Sequence, residues 1–165
     1  MTITVEDGTE VASANSYAAY SDLTAYALLR GVTITAVQAD GEALLLKAMD
    51  ALYGRPWKGE RVTTTQVLEW PRSGVYVDGQ LKTYNEIPRE LFYGQLALAM
   101  AAVDNTLMPV QPAQGKGPVV EERVEGAVTM KYANSGRVLS VAAVADAEAL
   151  LRVLYRRSGL TVVRT

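Results

Sequence analysis

The sequence predicts a mainly α protein: a small helical bundle with a β-hairpin insertion and extended terminal arms. Three observations carry this. Residues 38–53 and 87–103 place apolar side chains at helical spacing, the second stretch nearly all round. Residues 108–118 hold three prolines and two glycines, a linker composition. Beyond it, Val128, Met130 and Tyr132 alternate as residues of a strand do. The chain has 165 residues, enough for one domain with a sizeable core, and residues 1–165 read as a single domain. With 49% hydrophobic and 21% charged residues, it has the balance of a globular protein and not of a disordered one.

The elements follow in order. Residues 1–15 form an N-terminal arm, with Asp7-Gly8 as a turn inside an extended arm or short hairpin. A helical core spans 16–107. Ser16 or Ser21 is expected to cap the first helix, which carries Leu23, Tyr26, Ala27 and Arg30 and stops at Gly31. Val32 to Val37 is a β-branched linker. The second helix runs from Gln38 to Tyr53. Its wide apolar face runs over Ala43, Leu44, Leu46, Lys47, Ala48, Met49 and Leu52, and Gly54 and Pro56 end it.

Residues 55–86 change character and read as a loop. Trp57-Lys-Gly-Glu-Arg opens it. Val67-Leu-Glu-Trp-Pro-Arg is a short extended piece, because Trp70 precedes a proline. Ser73-Gly and Asp78-Gly are turns. A third helix starts near Ile87-Pro88 and continues through Val103 to Asp104-Asn105. The linker 108–118 leads to a hairpin over 119–132, turning at Glu125-Gly126. The C-terminal segment 141–157 carries a last helix, Val141 to Tyr155. An extended tail, 158–165, follows.

The chain contains no histidine and no cysteine. Ser–His–Asp and Cys–His catalysis within one chain are thereby excluded, as are disulfides and thiolate metal sites. No catalytic, cofactor-binding or metal-ligating residue stands out, and the expectation is a protein that is not an enzyme. Glu121, Glu122 and Glu125 cluster on the hairpin and read as a solvated charged surface. Asp40, Glu42, Glu86 and Glu90 sit at helix starts, where negative charge suits the dipole. Gly115-Lys-Gly is followed by proline and fails as a phosphate-binding loop. No apolar run approaches the roughly 20 residues of a membrane helix, so no membrane partner is expected. The opening Met1-Thr-Ile-Thr-Val-Glu-Asp lacks the basic-then-apolar order of a secretory signal.

Two groups of residues carry possible contacts. Trp57 and Trp70, with Lys58, Arg61 and Arg72, have the composition of a base-stacking platform. The other reading, which is favoured, is that both tryptophans lock an irregular loop against the bundle or sit in a subunit interface. Arg152, Arg156 and Arg157, with Arg164 in the tail, form the main basic cluster, and Arg152 and Arg156 share a helical face by spacing. They can face solvent, DNA phosphate or a partner's carboxylates. The net charge of −2 gives no general attraction to nucleic acid, so any DNA contact must be local.

One order of motifs is more specific than any of its members. Val5-Glu-Asp-Gly-Thr is followed by Ala14-Asn-Ser-Tyr, a short helix ending Arg30-Gly31 and a second helix. Then come Trp57-Lys-Gly-Glu-Arg, Gln66-Val-Leu-Glu-Trp-Pro-Arg-Ser-Gly-Val, Asp78-Gly79 and Glu86-Ile-Pro before an alanine- and leucine-rich helix. This order, over residues 4 to 132, resembles a family of phage proteins catalogued as DnaT-like single-stranded-DNA-binding proteins, which are similar to head–tail connector, or head-completion, adaptors of tailed phages. The resemblance implies a structural virion protein without cofactors. It would form a homo-oligomeric ring, twelve-fold, below the portal protein, in the neck at the head–tail interface. Assembly would take place in the host cytoplasm. The ring would extend the channel for double-stranded DNA and offer a surface to the next neck or tail-completion protein. By the same resemblance, the tail residues Leu160, Thr161, Val162, Val163 and Arg164 would bind the portal. The alternative is a single-stranded-DNA-binding replication accessory.

Overall fold

The computed structural model describes residues 2–103, 107, 119–125, 127–132 and 142–156. The linker 108–118, Arg157 and the tail 158–165 lie outside the described residues.

The fold is mainly helical, with short antiparallel hairpins. Helix α1 (Tyr20–Leu28) is followed by α2 (Gln38–Leu52), α3 (Arg89–Ala101) and α4 (Ala142–Leu151). Between α2 and α3 lie four two-residue strands: β1 (Glu60–Arg61), β2 (Arg72–Ser73), β3 (Tyr76–Val77) and β4 (Gln80–Leu81). A longer hairpin, β5 (Val119–Glu125) and β6 (Ala127–Tyr132), precedes α4. The pairs are β1–β2, β3–β4 and β5–β6, all antiparallel. The hairpin expected at 119–132 is therefore present, with its register closing at Glu125↔Ala127. No helix among the described residues is long and apolar enough to cross a membrane.

Helix α3 is central, as its all-round apolar sequence predicts. Leu91, Leu96, Leu98 and Ala99 are buried, and α1, α2 and α4 all pack on it. Gly94 permits the closest approach of α4: a Cβ there would run into the side chain of Leu151. Buried among these leucines is one polar side chain, Gln95. Its Oε1 accepts the Tyr17 N–H (2.9 Å), and its Nε2 donates to Ser16 Oγ (2.7 Å) and the Leu45 carbonyl (3.3 Å). One amide thus joins the N-terminal segment, α2 and α3.

The N-terminal arm is non-helical, as expected, but it lies folded onto the bundle. Val5 bridges Ser16, and Glu6 is buried with its carboxylate accepting the N–H groups of Gly8, Glu10 and Val11 (2.8–2.9 Å). A carboxylate so bonded replaces its lost hydration shell with backbone donors.

Several boundaries differ from the sequence reading. Neither Ser16 nor Ser21 caps α1. The helix starts after Ala19, whose N–H donates to the Asp22 carboxylate (2.8 Å), while Ser16 is occupied by Ala18 and Gln95. Gly31 does stop the helix, at φ 69°: Gly31 N–H bonds the Leu28 carbonyl and Val32 N–H that of Ala27, a Schellman closure. In α2 the most buried positions are Leu45 and Ala48, and Ala43 is exposed. Residues 67–69 bend rather than extend. Extended pairing begins at Arg72, after a cis Trp70–Pro71 peptide.

The C-terminal helix is shorter than Val141–Tyr155. It ends at Leu151, and Arg152–Leu154 tighten into a 3₁₀ turn. The reason is a competing backbone partner. Lys58 N–H donates to the Leu154 carbonyl (2.8 Å) and Arg156 N–H to that of Pro56 (2.7 Å), so Tyr155 bridges Trp57 as a strand residue would.

Candidate functional site

That bridge brings two parts of the sequence together: the loop after α2 and the end of the chain's last helix. Trp57 and Trp70 are 3% and 1% exposed and meet edge to face, with centroids 6.0 Å apart. Tyr155 also packs on Trp57, at 5.2 Å. Trp70 N–H donates to the Tyr17 hydroxyl (3.1 Å), which ties the loop to the N-terminal segment. Both tryptophans therefore lock the loop against the bundle. Base stacking on either ring is ruled out by burial, and neither indole Nε1 meets an acceptor among the described residues.

Around this aromatic wedge the cations are arranged by the backbone. Gly59, at φ 67°, turns the chain from the bridge into β1, and a Cβ there would strike the Ser73 carbonyl. The turn presents two carbonyls to Arg72, which is only 9% exposed. Its Nε donates to Lys58 O and its Nη2 to Gly59 O, both at 2.8 Å. Arg156 Nη2 reaches the same Gly59 carbonyl at 3.4 Å. Arg61 is the register partner of Arg72 across the β1–β2 ladder. The Glu69 carboxylate serves both: Oε1 meets Arg61 (3.1 Å) and Oε2 meets Arg72 (3.4 Å). Burial lowers the Arg72 pKa, with the nearby charges of Arg156 and Arg61 acting in the same direction and Glu69 opposing them. Lys58 Nζ donates to Val153 O (2.6 Å) and Tyr76 O (3.1 Å), which draws β3 against the 3₁₀ turn.

The residues nominated from the sequence divide between described and undescribed positions. Arg152 and Arg156 are both exposed, but they do not share an α-helical face, because the helix ends between α4 and the bridge at Tyr155. Arg157 and the tail residues Leu160, Thr161, Val162, Val163 and Arg164 lie outside the described residues. The carboxylates Glu121, Glu122 and Glu125 sit on β5, and their side chains lie outside the described set. No group of three or more metal-ligating side chains occurs among the described residues. The sequence reading missed the convergence itself. Lys58, Arg61 and Arg72 were assigned to one group and Arg156 to another, and a shared carbonyl acceptor joins them. A separation of 97 residues between Gly59 and Arg156 leaves no local pattern to read.

Depressions in the described surface include two without catalytic character. One, of about 40 Å³, lies beside Tyr17, Leu52 and Trp57; the other, an open groove of about 320 Å³, lies between Asp40, Lys47 and Val103. Neither holds a set of polar groups arranged for chemistry.

No curated protein and no solved structure matches this chain. One family pattern covers residues 1–165. By that match the chain belongs to the family described as "Putative DnaT-like ssDNA binding protein".

Proposed function

We propose that this chain is a non-catalytic structural subunit of a phage virion, a head-to-tail adaptor that assembles as a ring below the portal. It extends the DNA channel and gives the next neck or tail protein its attachment surface. The observation that carries this reading is the apolar surface left over once the core is filled. Leu29 is 85% exposed, Leu28 and Tyr53 are each 78% exposed, and Leu28 and Leu29 adjoin the half-exposed Val32. Tyr76 and Leu81, both more than half exposed, face each other across the β3–β4 ladder. Single exposed apolar residues are ordinary, but adjacent ones call for a covering partner. A ring subunit covers them with its neighbours, through two different faces of each copy. The motif order from Val5 to the α3 sequence supports the same assignment. Mass spectrometry of purified virions tests it: the protein is expected among the neck components, and its absence from particles ends this reading.

A second reading is favoured by the family's own description: a single-stranded-DNA-binding accessory of replication. The buried tryptophans cannot serve it as a stacking platform, so contact would fall on the exposed cations around Gly59. Salt-sensitive binding of oligonucleotides by a protein missing from virions would favour this second reading over the first.

A further inference from the structure

We infer that the surface around the Gly59 carbonyl, formed by Arg61, Arg72 and Arg156 with Lys58 and Tyr76, is a contact site for the phosphate backbone of nucleic acid. Three arginines and a lysine converge here from two distant parts of the chain, on a protein whose net charge is −2. Glu69 is the one carboxylate paired with them among the described residues. Opposed like charges on a ladder are unfavourable, and Arg61 opposite Arg72 is such a pair. Glu69 offsets that repulsion with a single negative charge against two positive ones, and an anion bound at the exposed Arg61 offsets it further. Arg72, held by three backbone carbonyls including that of Glu69, is fixed in place, whereas Arg61 and Arg156 are exposed and able to reach outward.

The chemistry selects phosphate. Planar guanidinium groups bind phosphate oxygens through paired N–H donors, and here the exposed Arg61 and Arg156 supply them, while the buried Arg72, its donors taken by Lys58, Gly59 and Glu69, adds charge and holds the loop in place. Beside them stands Tyr76, 56% exposed, with its carbonyl held by the same lysine ammonium that holds Val153. An exposed ring next to cations is what an unpaired base stacks on.

The inference rests on DNA contact, which both proposed readings require, and not on which of them holds. Fluorescence anisotropy of the full chain with labelled oligothymidylate, and with duplex DNA, tests it across a salt series. Wild-type protein is expected to bind at low salt, with affinity falling as salt rises. The Arg61→Glu/Arg156→Glu variant is expected to bind at least about tenfold more weakly, with a salt slope shallower by roughly 0.7 for each phosphate that is no longer neutralised. Lys47→Glu, a single charge reversal of the same kind placed on α2, is expected to leave binding unchanged. Tyr76→Ala is expected to weaken single-strand binding more than duplex binding. Arg61→Ala/Arg156→Ala serves if the charge reversal does not fold, as judged by circular dichroism. The inference is overturned if wild type fails to bind at low salt, or if Lys47→Glu weakens binding as much as the double variant. Equal displacement by polyglutamate, abolished in the same double variant, also overturns it, by assigning the surface to an acidic protein partner. Absence from virions would remove the adaptor reading and leave this site standing.

Discussion

Arg61 and Arg72 stand opposite each other across the β1–β2 ladder, and the two oxygens of Glu69 divide between them. The loop is thus held by one carboxylate set against two guanidinium groups. Removing that charge has opposite effects on stability and on anion binding. Glu69→Gln is expected to destabilise the fold by about 1–3 kcal/mol, because Arg72 is largely buried and loses its charged partner. The same variant is expected to bind oligonucleotide more tightly, since the surface gains one net positive charge. Chemical denaturation and anisotropy on one preparation check both. Weaker binding in a folded Glu69→Gln protein would contradict the electrostatic account.

The tryptophans are expected to affect stability and not affinity. Trp57 packs against both Trp70 and Tyr155, so truncation opens a cavity where the loop meets the residues after α4. Trp57→Ala or Trp70→Ala is expected to lower unfolding free energy by about 3–5 kcal/mol. At temperatures where the variants remain folded, oligonucleotide affinity is expected to stay near the wild-type value. A well-folded Trp70→Phe protein unable to bind DNA would show that the indole has a direct role.

Gln95 joins three segments through one amide, and its loss is expected to be felt in all of them. Gln95→Leu keeps the approximate volume but leaves Ser16 Oγ, the Tyr17 N–H and the Leu45 carbonyl short of a partner. Unpaired buried groups cost about 1–3 kcal/mol each, partly relieved by local shifts, so a loss of roughly 2–4 kcal/mol is expected. Hydrogen exchange would locate it: the amide of Tyr17 is expected to lose protection before those of α3.

How much of this could be read from the sequence depends on range. The helices α2 and α3 were legible because their signal is local: apolar residues at period 3.6 with Gly54 and Pro88 at the ends. The Asp78-Gly79 turn was legible too, because both residues need positive φ (52° and 78°) and only a few residue types accept it. The end of α4 was not. Val153, Leu154 and Tyr155 suit a helix, and only the backbone of residues 56–58, nearly a hundred positions earlier, draws them out of it. Glu6 looks in sequence like any surface acid. Its burial follows from the way the next five residues curl their N–H groups around it, which no composition reveals. The cation cluster was hidden for the same reason as the helix end, since one long-range bridge creates both.

At Gly41, α2 passes close to α1. A Cβ there would run into the ring of Tyr20, whose hydroxyl is fixed on the Thr35 carbonyl (2.8 Å). Gly41→Ala gains helix propensity but forces the ring aside, and a net loss of about 1–3 kcal/mol is expected. Tyr20→Ala removes the obstacle, so the double variant is expected to be more stable than the sum of the single changes predicts. Additive effects in this cycle would mean that the ring moves freely.

Alkaline pH should act through two phenols, the buried Tyr17 and the half-buried Tyr155. Burial raises the pKa of Tyr17 well above the ordinary tyrosine value, with the charges of Glu69 and Glu6 acting in the same direction and the Trp70 N–H opposing them. Burial also raises that of Tyr155, where Glu148 adds to the shift and Arg55 opposes it. In the unfolded chain both ionise near about pH 10. Above that pH the unfolded state binds fewer protons than the folded one, so stability falls as pH rises. Below it both states are protonated and the contribution is constant. Urea unfolding from neutral pH to about pH 11 is therefore expected to show a flat region and then a decline that steepens above about pH 10. Tyr17→Phe/Tyr155→Phe lowers stability at neutral pH, because Trp70 N–H and Glu148 lose a partner. Its alkaline decline is expected to be shallower by up to one proton for each tyrosine removed. If the double variant declines as steeply as wild type, the alkaline transition belongs to other groups, and these two phenols ionise as freely in the folded protein as in the unfolded chain.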